Sequence, residues 1–330
     1  MQLLKELYQI SAPSRQEKRM KKFICARLKE QGIKYKVDKT GNIYAVKGVA
    51  ETYPCVVAHI DEVHQRRSKG FTVANVDDLI FGFDTKMNKY CGIGADDKNG
   101  VWVCLKCLDE FDTLKCVFFV GEEVGCYGST RADMSFFTDC RYVLQCDRKG
   151  NSDLIQWAGA TELCSDEFIS AVNPSLHGYK IANGMMTDVL ALKQRELPVS
   201  CVNISCGYYN PHTDTELTRW SDLNKCLDFV RHIISNCTEV YPHNYTPSIR
   251  YYGHWEMDDW YPGTRHKPRN SREQQLSSLK RRMSDILFDE PHLSLDEVSD
   301  RLGGCYNRIT FADFQNIYIE IANRTSLSNF

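Results

Sequence analysis

Apolar runs that end in polar residues alternate with amphipathic helical patterns over the first 240 residues, and this alternation most constrains the fold. The apolar runs predict buried strands, at 54–59, 116–120, 142–146 and 201–205. The helical spacing predicts helices between them, near 99–111, 188–195 and 222–235. Strands and helices in such alternation form a mainly parallel sheet with helices on both faces. The pattern therefore predicts an α/β fold, a three-layer αβα domain with a mostly parallel mixed sheet.

Two patterns precede the first buried strand. Residues 14–31 predict a helix, because Ser14 and Glu17 fit a capping box ahead of apolar residues at helical spacing. The segments IKYKVD (33–38) and NIYAVKG (42–48) alternate polar and apolar side chains. They predict a hairpin-like pair of strands.

The character of the sequence changes near residue 240. Residues 241–275 are rich in Tyr, Trp, Pro, Arg and Asn without periodicity, which predicts an irregular connector. Residues 276–330 predict a small helical appendage of unknown role, in which Ser294 and Glu297 fit a capping box. The predicted organisation is a catalytic domain over 1–240, followed by this connector and this appendage.

Charge and hydropathy exclude some partners. The formal net charge of −2 gives no reason to expect a nucleic acid or an anionic membrane as a partner. No apolar run approaches the ~18 residues that a membrane span needs. Residues 1–14 do not have the pattern of a signal peptide.

The chain has 15 cysteines, an odd number, and many of them lie in apolar runs, as Cys55 and Cys116 do. They predict buried free thiols rather than a disulfide framework. Cys104 and Cys107 form a C-x-x-C within an amphipathic helical pattern, which predicts core packing rather than a redox or zinc pair. Reduced thiols and the absence of a signal pattern predict a cytoplasmic protein.

Polar residues at the predicted strand ends carry the chemistry, because ligands of parallel sheets collect there. His59 and Asp61 are two positions apart, so on a strand their side chains share a face. A neutral imidazole binds metal well when an acceptor holds its other nitrogen, and Asp61 fits that role. The segment GIGADDKNG (92–100) opens a helix with Asp96 and Asp97. These carboxylates either cap the helix or include one that bridges two cations.

Three further elements supply carboxylates and a second histidine. Glu122 and Glu123 directly follow a buried apolar run, which predicts one metal ligand and one general base. Burial of that base predicts a raised pKa. Asp147 ends another apolar run, and His212 lies in a loop after a strand. Two histidines, two aspartates and one glutamate predict a site for divalent ions, with zinc preferred and cobalt or manganese as alternatives.

In this order, the motifs H-x-D, GADDK-x-G, GEE-x-G, a strand-end aspartate and H-T-x-x-E resemble those of the co-catalytic zinc exopeptidases. That clan includes peptidase T, carboxypeptidase G and the leucyl aminopeptidases. The resemblance extends over residues 1–240 and implies the zinc-exopeptidase fold with two metal ions. It also implies a cis peptide bond between Asp96 and Asp97.

The resemblance further implies a role for each residue. It assigns three ligands to each ion, with one shared between them: His59, Asp96 and Asp147 for the first, and Asp96, Glu123 and His212 for the second. Glu122 would be the general base and acid. Asp61 would orient His59.

The spacing of the motifs separates two forms of the clan. Peptidase T and carboxypeptidase G insert a lid or dimerisation domain before the final histidine, but here only 65 positions separate Asp147 from His212. The resemblance is therefore to the lidless form, which implies an aminopeptidase acting on peptides and leaves homo-oligomerisation open. Two alternatives remain, a deacylase of N-acyl amino acids or other non-peptide amides, and a metal-bound non-catalytic scaffold that binds a partner through 241–330.

Other candidate residues have simpler interpretations. His64 is predicted to be a solvated loop histidine, although it could line the cleft. Thr187 and Asp188 are predicted to cap a helix. Tyr208 and Tyr209 are predicted to pack rather than to donate to an oxyanion.

Overall fold

The structure is a computed structural model of the 330-residue chain, and it describes residues 1–64, 67–245, 272–289, 293–302 and 311–327. The chain divides into two compact units. The first is Met1–Ala158 with Glu162–Tyr245, and the second is Gly159–Thr161 with Thr246–Phe330. No helix in the described ranges is both long enough and apolar enough to cross a membrane.

The helices of the described residues are α1 (Gln2–Gln9), α2 (Lys18–Glu30), α3 (Ala95–Glu110), α4 (Asp166–Val172), α5 (Asp188–Gln194), α6 (Trp220–Asn236), α7 (Arg272–Asp289), α8 (Leu295–Leu302) and α9 (Phe311–Leu327). The strands up to the middle of the first unit are β1 (Lys34–Val37), β2 (Ile43–Lys47), β3 (Tyr53–His59), β4 (Phe71–Val76), β5 (Leu79–Asp84), β6 (Lys89–Cys91) and β7 (Leu114–Phe119). The later strands are β8 (Cys140–Arg148), β9 (Asp153–Ala158), β10 (Thr161–Glu162), β11 (Lys180–Gly184), β12 (Cys201–Ser205), β13 (Tyr208–Tyr209) and β14 (Leu217–Arg219).

A large mixed sheet forms the centre of the first unit. Its strands follow the order β1-β2-β7-β3-β8-β12-β9, and β11 also pairs with β9. The four central strands β7, β3, β8 and β12 are parallel to one another, whereas β1, β2 and β9 join antiparallel. The carboxyl ends of the central strands therefore meet at one edge of the sheet.

Helices cover both faces of this large sheet. On β3, Val56 and Ala58 belong to one hydrophobic core, which also contains residues of α1, α2, α3 and α6. Cys55 and Val57 point into a second core with residues of α5. Alternate residues of one strand thus contribute to two cores, because successive side chains of a strand point to opposite faces. This arrangement confirms the predicted α/β fold with three layers.

A second, small sheet is formed by strands β4, β5, β6, β13 and β14. Strands β4, β5 and β6 fill the interval from His59 to Asp96, and they pair antiparallel with β14 through β5. Strand β13 pairs with β14 and completes the small sheet. Residues of β4 are half-buried or exposed along its whole length. These strands are not among those predicted from the sequence, although β5, LIFGFD, is largely apolar.

Other elements were predicted with small differences. The hairpin-like pair is confirmed as the antiparallel strands β1 and β2. The helix predicted over 14–31 begins only at Lys18, and its N-cap residue Glu17 makes no side-chain capping bond. The predicted capping box at Ser14 is wrong, because the Ser14 hydroxyl donates instead to Asp61 Oδ2 at 2.7 Å. Helix α1 was not predicted.

The second unit contains helices α7, α8 and α9. Buried apolar residues of these helices form a separate small core with Leu293, which precedes α8: Leu279, Met283, Leu287, Leu295, Val298, Leu302, Phe314, Ile317 and Ile321. The capping box at the start of α8 is confirmed, since Ser294 N and Oγ both donate to Glu297 Oε2, at 2.8 and 2.6 Å. Most of the predicted connector 241–275 lies outside the described residues. The division of the chain at 240 and 276 stays a prediction.

Candidate metal centre

Three strands of the large sheet bring four polar side chains to one edge. His59 is the last residue of β3, Glu122 and Glu123 follow β7, and Asp147 lies near the end of β8. Because β7, β3 and β8 are parallel neighbours, these ends lie side by side, as expected for ligand sites in such sheets. The interval from Asp147 to His212 folds into further strands of the large sheet and into α4 and α5, which agrees with the lidless form.

The first group of ligand atoms comprises His59, Asp96 and Asp147. His59 Nε2 lies 3.1 Å from Asp96 Oδ1 and 3.7 Å from Asp147 Oδ1. Asp96 is at the start of α3, where the peptide bond from Asp96 to Asp97 is cis, as the resemblance implied. Asp97 is fully buried and faces the backbone, because its carboxylate accepts from His59 N and Gly100 N, each at 3.0 Å.

The second group of ligand atoms comprises Asp96, Glu123 and His212. His212 Nε2 lies 3.3 Å from Asp96 Oδ2 and 3.2 Å from Glu123 Oε2. His212 is in the turn between β13 and β14, with a positive φ of 64° that is uncommon for a residue other than glycine. The two oxygens of Asp96 therefore point to different histidines, one in each group.

Asp61 lies behind His59. Its Oδ1 is 3.4 Å from His59 Nδ1, and it accepts from Glu122 N at 2.9 Å. Its other oxygen accepts from the Ser14 hydroxyl and from Glu123 N. Asp61 thus holds the backbone of the segment that carries the two glutamates and lies beside the imidazole, a position suited to orienting His59.

Glu122 borders the two groups without belonging to either. Its Oε2 lies 4.0 Å from His59 Nε2, and only 13% of its side chain is exposed. On its other side, the Cys126 thiol donates to Glu122 Oε1 at 3.4 Å. Burial raises the pKa of Glu122 well above its usual range, and the nearby carboxylates of Asp188, Asp147 and Glu123 act in the same direction.

The same crowding shifts other groups of the cluster. Burial, together with the neighbouring Asp96 carboxylate, raises the pKa of Asp147 to about 8. Burial disfavours the charged form of His59, but the Asp147 carboxylate beside it raises the pKa of His59 well above its usual value. Burial also opposes the charge on His212, and Glu123 with Asp96 raises its pKa.

The donor set fits divalent metal ions. His212 Nε2 and Glu123 Oε1 are buried and have no hydrogen-bond partner among the described residues. Within those residues, the carboxylates of Asp96, Glu122, Glu123 and Asp147 form ion pairs with histidines alone. Buried polar atoms without partners indicate a missing ligand or ion, and mixed imidazole and carboxylate donors suit zinc and related metals.

Polar residues beneath the cluster hold Asp147. Gln145, on the same face of β8, donates to Asp147 Oδ2 at 2.9 Å. Asn203 of β12 accepts from Asp147 N and donates to Asp147 O, at 2.9 and 2.8 Å. Neither residue was singled out in the sequence, since a polar residue inside an apolar run gives no sign of what it contacts.

Several predictions for individual residues are corrected. Thr187 is the N-cap residue of α5 but makes no capping bond, because its hydroxyl donates to Gln145 Oε1 at 2.5 Å. Asp188 is fully buried and accepts from the Ser129 hydroxyl at 2.5 Å, so it is not a capping residue either. Burial raises the pKa of Asp188 to about 6.

The structure also places the two tyrosines and the C-x-x-C pair that were considered in the sequence. Tyr208 donates to Asp147 Oδ1 at 3.3 Å, and Tyr209 donates to Asp222 Oδ2 at 2.6 Å, so each has a polar partner. Cys104 and Cys107 are buried free thiols, as predicted.

His64 and Glu216 form a contact that the sequence did not predict. His64 is not a solvated loop residue, because its Nε2 lies 2.9 Å from Oε2 of the buried Glu216. The same oxygen accepts from Gly94 N at 2.6 Å, and Glu216 Oε1 accepts from Asp96 N at 3.1 Å. The available signal was the H-T-x-x-E motif, in which Glu216 is the final residue.

No protein-family model matches the sequence, and no curated protein matches it. Solved structures share its fold. The aminopeptidase PepT from Bacillus cereus has 14% identity and a TM-score of 0.56, and the match covers 72% of this chain and 97% of that chain. The TET1 peptidase from Pyrococcus horikoshii, which assembles into a tetrahedron or a large octahedral shell, has 17% identity, coverages of 71% and 98%, and a TM-score of 0.51.

A third similar structure is named an endoglucanase, from Thermotoga maritima, with 12% identity, coverages of 70% and 96%, and a TM-score of 0.52. At these identities the likeness shows the fold alone. The chain has the fold of the exopeptidase structures, which is the fold that its motifs implied.

Proposed function

We propose that this chain is a two-metal-dependent hydrolase, an aminopeptidase that cleaves N-terminal residues from peptides. The observation that carries the proposal is the pair of three-residue ligand groups that share Asp96, with Glu122 at their border. Neighbours of the same fold that are named as peptidases support this substrate class. A fold alone does not define a substrate, so the proposal rests on the site.

The residues proposed to hold the ions are those of the two groups, with zinc preferred over cobalt or manganese: His59, Asp96 and Asp147 for one ion, and Asp96, Glu123 and His212 for the other. When bound, the ions supply Lewis acidity that polarises the scissile carbonyl and lowers the pKa of a water molecule.

Glu122 is the proposed general base. Its Oε2 accepts a proton from the attacking water as the oxygen bonds to the carbonyl carbon. The same oxygen then delivers that proton to the amide nitrogen as the carbon–nitrogen bond breaks and the amine leaves. Its raised pKa suits both steps, because a catalytic group transfers protons best when its pKa lies near the working pH.

The other residues hold this geometry. Asp61 orients His59 through Nδ1 and fixes the backbone of Glu122. Cys126 limits where Glu122 Oε1 can move. Gln145 and Asn203 fix the carboxylate and backbone of Asp147, as outer partners of metal ligands commonly do.

The decisive experiment measures bound metal together with activity on a substrate panel. We expect about two divalent ions per chain and metal-dependent release of the chromophore from aminoacyl-nitroanilides. Hydrolysis of N-acetyl amino acids instead would favour the alternative of a deacylase acting on N-acyl amino acids or other non-peptide amides. A cellulose oligomer belongs in the panel, because one structural neighbour is named an endoglucanase.

The remaining alternative is a metal-bound scaffold without catalysis that binds a partner through 241–330. Binding of both ions without turnover on any member of the panel would favour it. Absence of bound metal would contradict both enzymatic proposals.

We place the activity in the cytoplasm, supported by the free thiol state of every cysteine in the described ranges. Homo-oligomerisation is the proposed assembly, supported by the TET1 neighbour, and light scattering of the purified protein tests it. Neither a nucleic acid nor a membrane is proposed as a partner.

A further inference from the structure

Glu216 is a buried carboxylate that touches the backbone of the shared ligand. It is the residue directly before β14, and 1% of its surface is exposed. Three donors converge on it, Gly94 N and Asp96 N from the segment that opens α3, and His64 Nε2 from the loop after β3. Because an ionised carboxylate accepts hydrogen bonds only, Nε2 is the protonated nitrogen of His64 in this contact.

We propose that Glu216 is a positioning residue that sets the distance between Asp96 and His212, two ligands of one ion. This inference rests on the proposed function, because it concerns the same two ions. Glu216 does not reach the ligand atoms itself. It fixes the backbone of Asp96 from one side, and it ends the turn that carries His212 on the other.

The turn needs such an anchor. His212 has a positive φ of 64°, a conformation that is uncommon outside glycine and that neighbouring contacts help to hold. Glu216 N donates to Thr213 O at 3.2 Å and closes the turn just after His212. The carboxylate then ties the closed turn to the segment of Asp96.

The chemistry requires two acceptor atoms. Oε1 serves Asp96 N, and Oε2 serves Gly94 N and His64 Nε2. A glutamine has the same size but only one acceptor oxygen, so its NH₂ group would face a backbone N–H or the protonated imidazole nitrogen. Such an unmet buried donor is costly, and the segment or the turn would move to relieve it.

The opposite side of the same segment has its own anchor, which isolates the effect of Glu216. Glu62 is buried and accepts from Lys98 Nζ and Arg67 at 2.8 and 2.7 Å. A Cβ atom at Gly94 would collide with Glu62 Oε2. Glu62 therefore fixes the segment against the N-terminal part of the unit, but it has no contact with the turn of His212 among the described bonds.

The test compares Glu216→Gln with Asp214→Asn in the full chain. Asp214 lies in the same turn, but its side chain is 63% exposed and pairs with Lys89 on the surface. Zn²⁺ and Co²⁺ affinities are measured by competition with a chromophoric chelator, and thermal unfolding in chelator checks the fold. We expect Glu216→Gln to lower the affinity for one of the two ions about 10-fold to 100-fold, as is usual for residues that orient metal ligands.

The selective loss distinguishes positioning from general destabilisation. The ion held by Glu123 and His212 should be lost first, so that an intermediate Co²⁺ concentration gives one bound ion and a changed visible spectrum. Asp214→Asn should bind two ions with the affinities of the unchanged chain. Equal affinities in Glu216→Gln, or equal weakening of both ions, would overturn the inference.

His64→Ala keeps the test decisive if Glu216→Gln does not fold. This substitution removes one of the three donors to Glu216 and leaves both backbone contacts. We therefore expect the affinity for the ion held by Glu123 and His212 to fall about fivefold, the equivalent of one ordinary hydrogen bond. Unchanged affinity in a folded His64→Ala would then overturn the inference. An unchanged chain that binds no metal would instead overturn the proposed function as well.

Discussion

The large and the small sheet both contribute to the ligand cluster, but they hold their ligands in different ways. His59, Glu123 and Asp147 extend from the ends of β3, β7 and β8, whose residues are buried almost throughout. His212 lies in a turn of the small sheet, with a quarter of its side chain exposed. The strands of the large sheet are fixed by apolar packing on two faces. Hydrogen bonds from Asp61, Gln145 and Asn203 add to this packing at the ligands themselves. The small sheet depends on hydrogen bonds, above all those of Glu216.

This difference shows that the ligands of the large sheet depend mainly on the packed core, whereas the position of His212 depends on the polar contacts of Glu216. Apolar packing is hard to disturb with one surface substitution, whereas a hydrogen-bonded turn can fail at one atom. The large-sheet half should therefore keep its geometry when the other half is damaged.

The largest expected effect concerns the proton-transfer group, which lies on the large sheet. Glu122→Gln should lower kcat by about 10²-fold to 10⁴-fold, because general acid–base catalysis contributes that much. Both ions should still bind, since Glu122 belongs to neither ligand group. Steady-state kinetics and metal analysis test this, with the exposed Glu239→Gln as the charge-matched control. Retained activity in Glu122→Gln would remove it from the proposed mechanism.

The next effect compares the packing of the two sheets directly. Phe118→Ala, in β7 of the large sheet, should lower the free energy of unfolding by about 3–5 kcal/mol, because Phe118 is fully buried. Val76→Ala, in β4 of the small sheet, should change it by at most about 0.5 kcal/mol, because Val76 is 55% exposed. Denaturant unfolding measures both. Similar losses in the two variants would break the contrast between the sheets.

A third prediction separates the two halves of the site by their ions. His212→Asn should leave one ion bound, since His59, Asp96 and Asp147 remain complete. Asp147→Asn should remove the other ion and keep the one near Glu123. Equilibrium dialysis with Zn²⁺ counts the ions, and circular dichroism verifies the fold. The contrast between the two sheets predicts that His212→Asn lowers the affinity for the remaining ion less than Asp147→Asn does. The reverse order would contradict that contrast.

The smallest effect is a pH dependence of the metal-free protein. Asp147, His59 and His212 all have raised pKa values, so the folded state binds more protons than the unfolded state above the unfolded values of about 4 for Asp and about 6.5 for His. Their stabilising contribution is complete below those values and is lost as the pH rises through the folded values, which for Asp147 is about 8.

The free energy of unfolding in chelator should therefore fall between pH 5 and pH 8. Metal ions compete with the same protons, so the metal-loaded protein should show the opposite trend over this range. Thermal unfolding at several pH values measures both trends. A metal-free protein that becomes more stable towards pH 8 would show that the cluster does not hold these protons.

The sequence predicted the four parallel central strands of the large sheet because they are continuous apolar runs, whereas β9 and β11 of the same sheet were not predicted. Residues 54–59 and 201–205 carry the whole signal in neighbouring positions, and their polar ends indicated where ligands would meet. One strand of the small sheet was missed for the opposite reason. Strand β4, FTVANV, is half-exposed and not continuously apolar, so its formation depends on partners distant in the sequence.

The same limit applies to the candidate site. Single motifs identified His59, Asp96, Glu122, Glu123, Asp147 and His212 as candidates, and the structure brings these six together. The motifs did not predict the contacts that hold these six residues in place. The contact of Glu216 with Asp96 N joins residues 120 positions apart, and that of His64 with Glu216 joins residues 152 positions apart. No local pattern encodes such pairings, which arise only once both sheets have formed.

The shared position of Asp96 has a consequence for how metal binding is to be measured. One side chain offers an oxygen to each histidine, so filling one position orients the carboxylate that the other position needs. Two ions bound in this way would not follow two independent binding isotherms. A titration fitted with two independent sites would return dissociation constants that describe neither site. A chelator would then extract the weaker ion first, and its removal would shorten the residence of the stronger one.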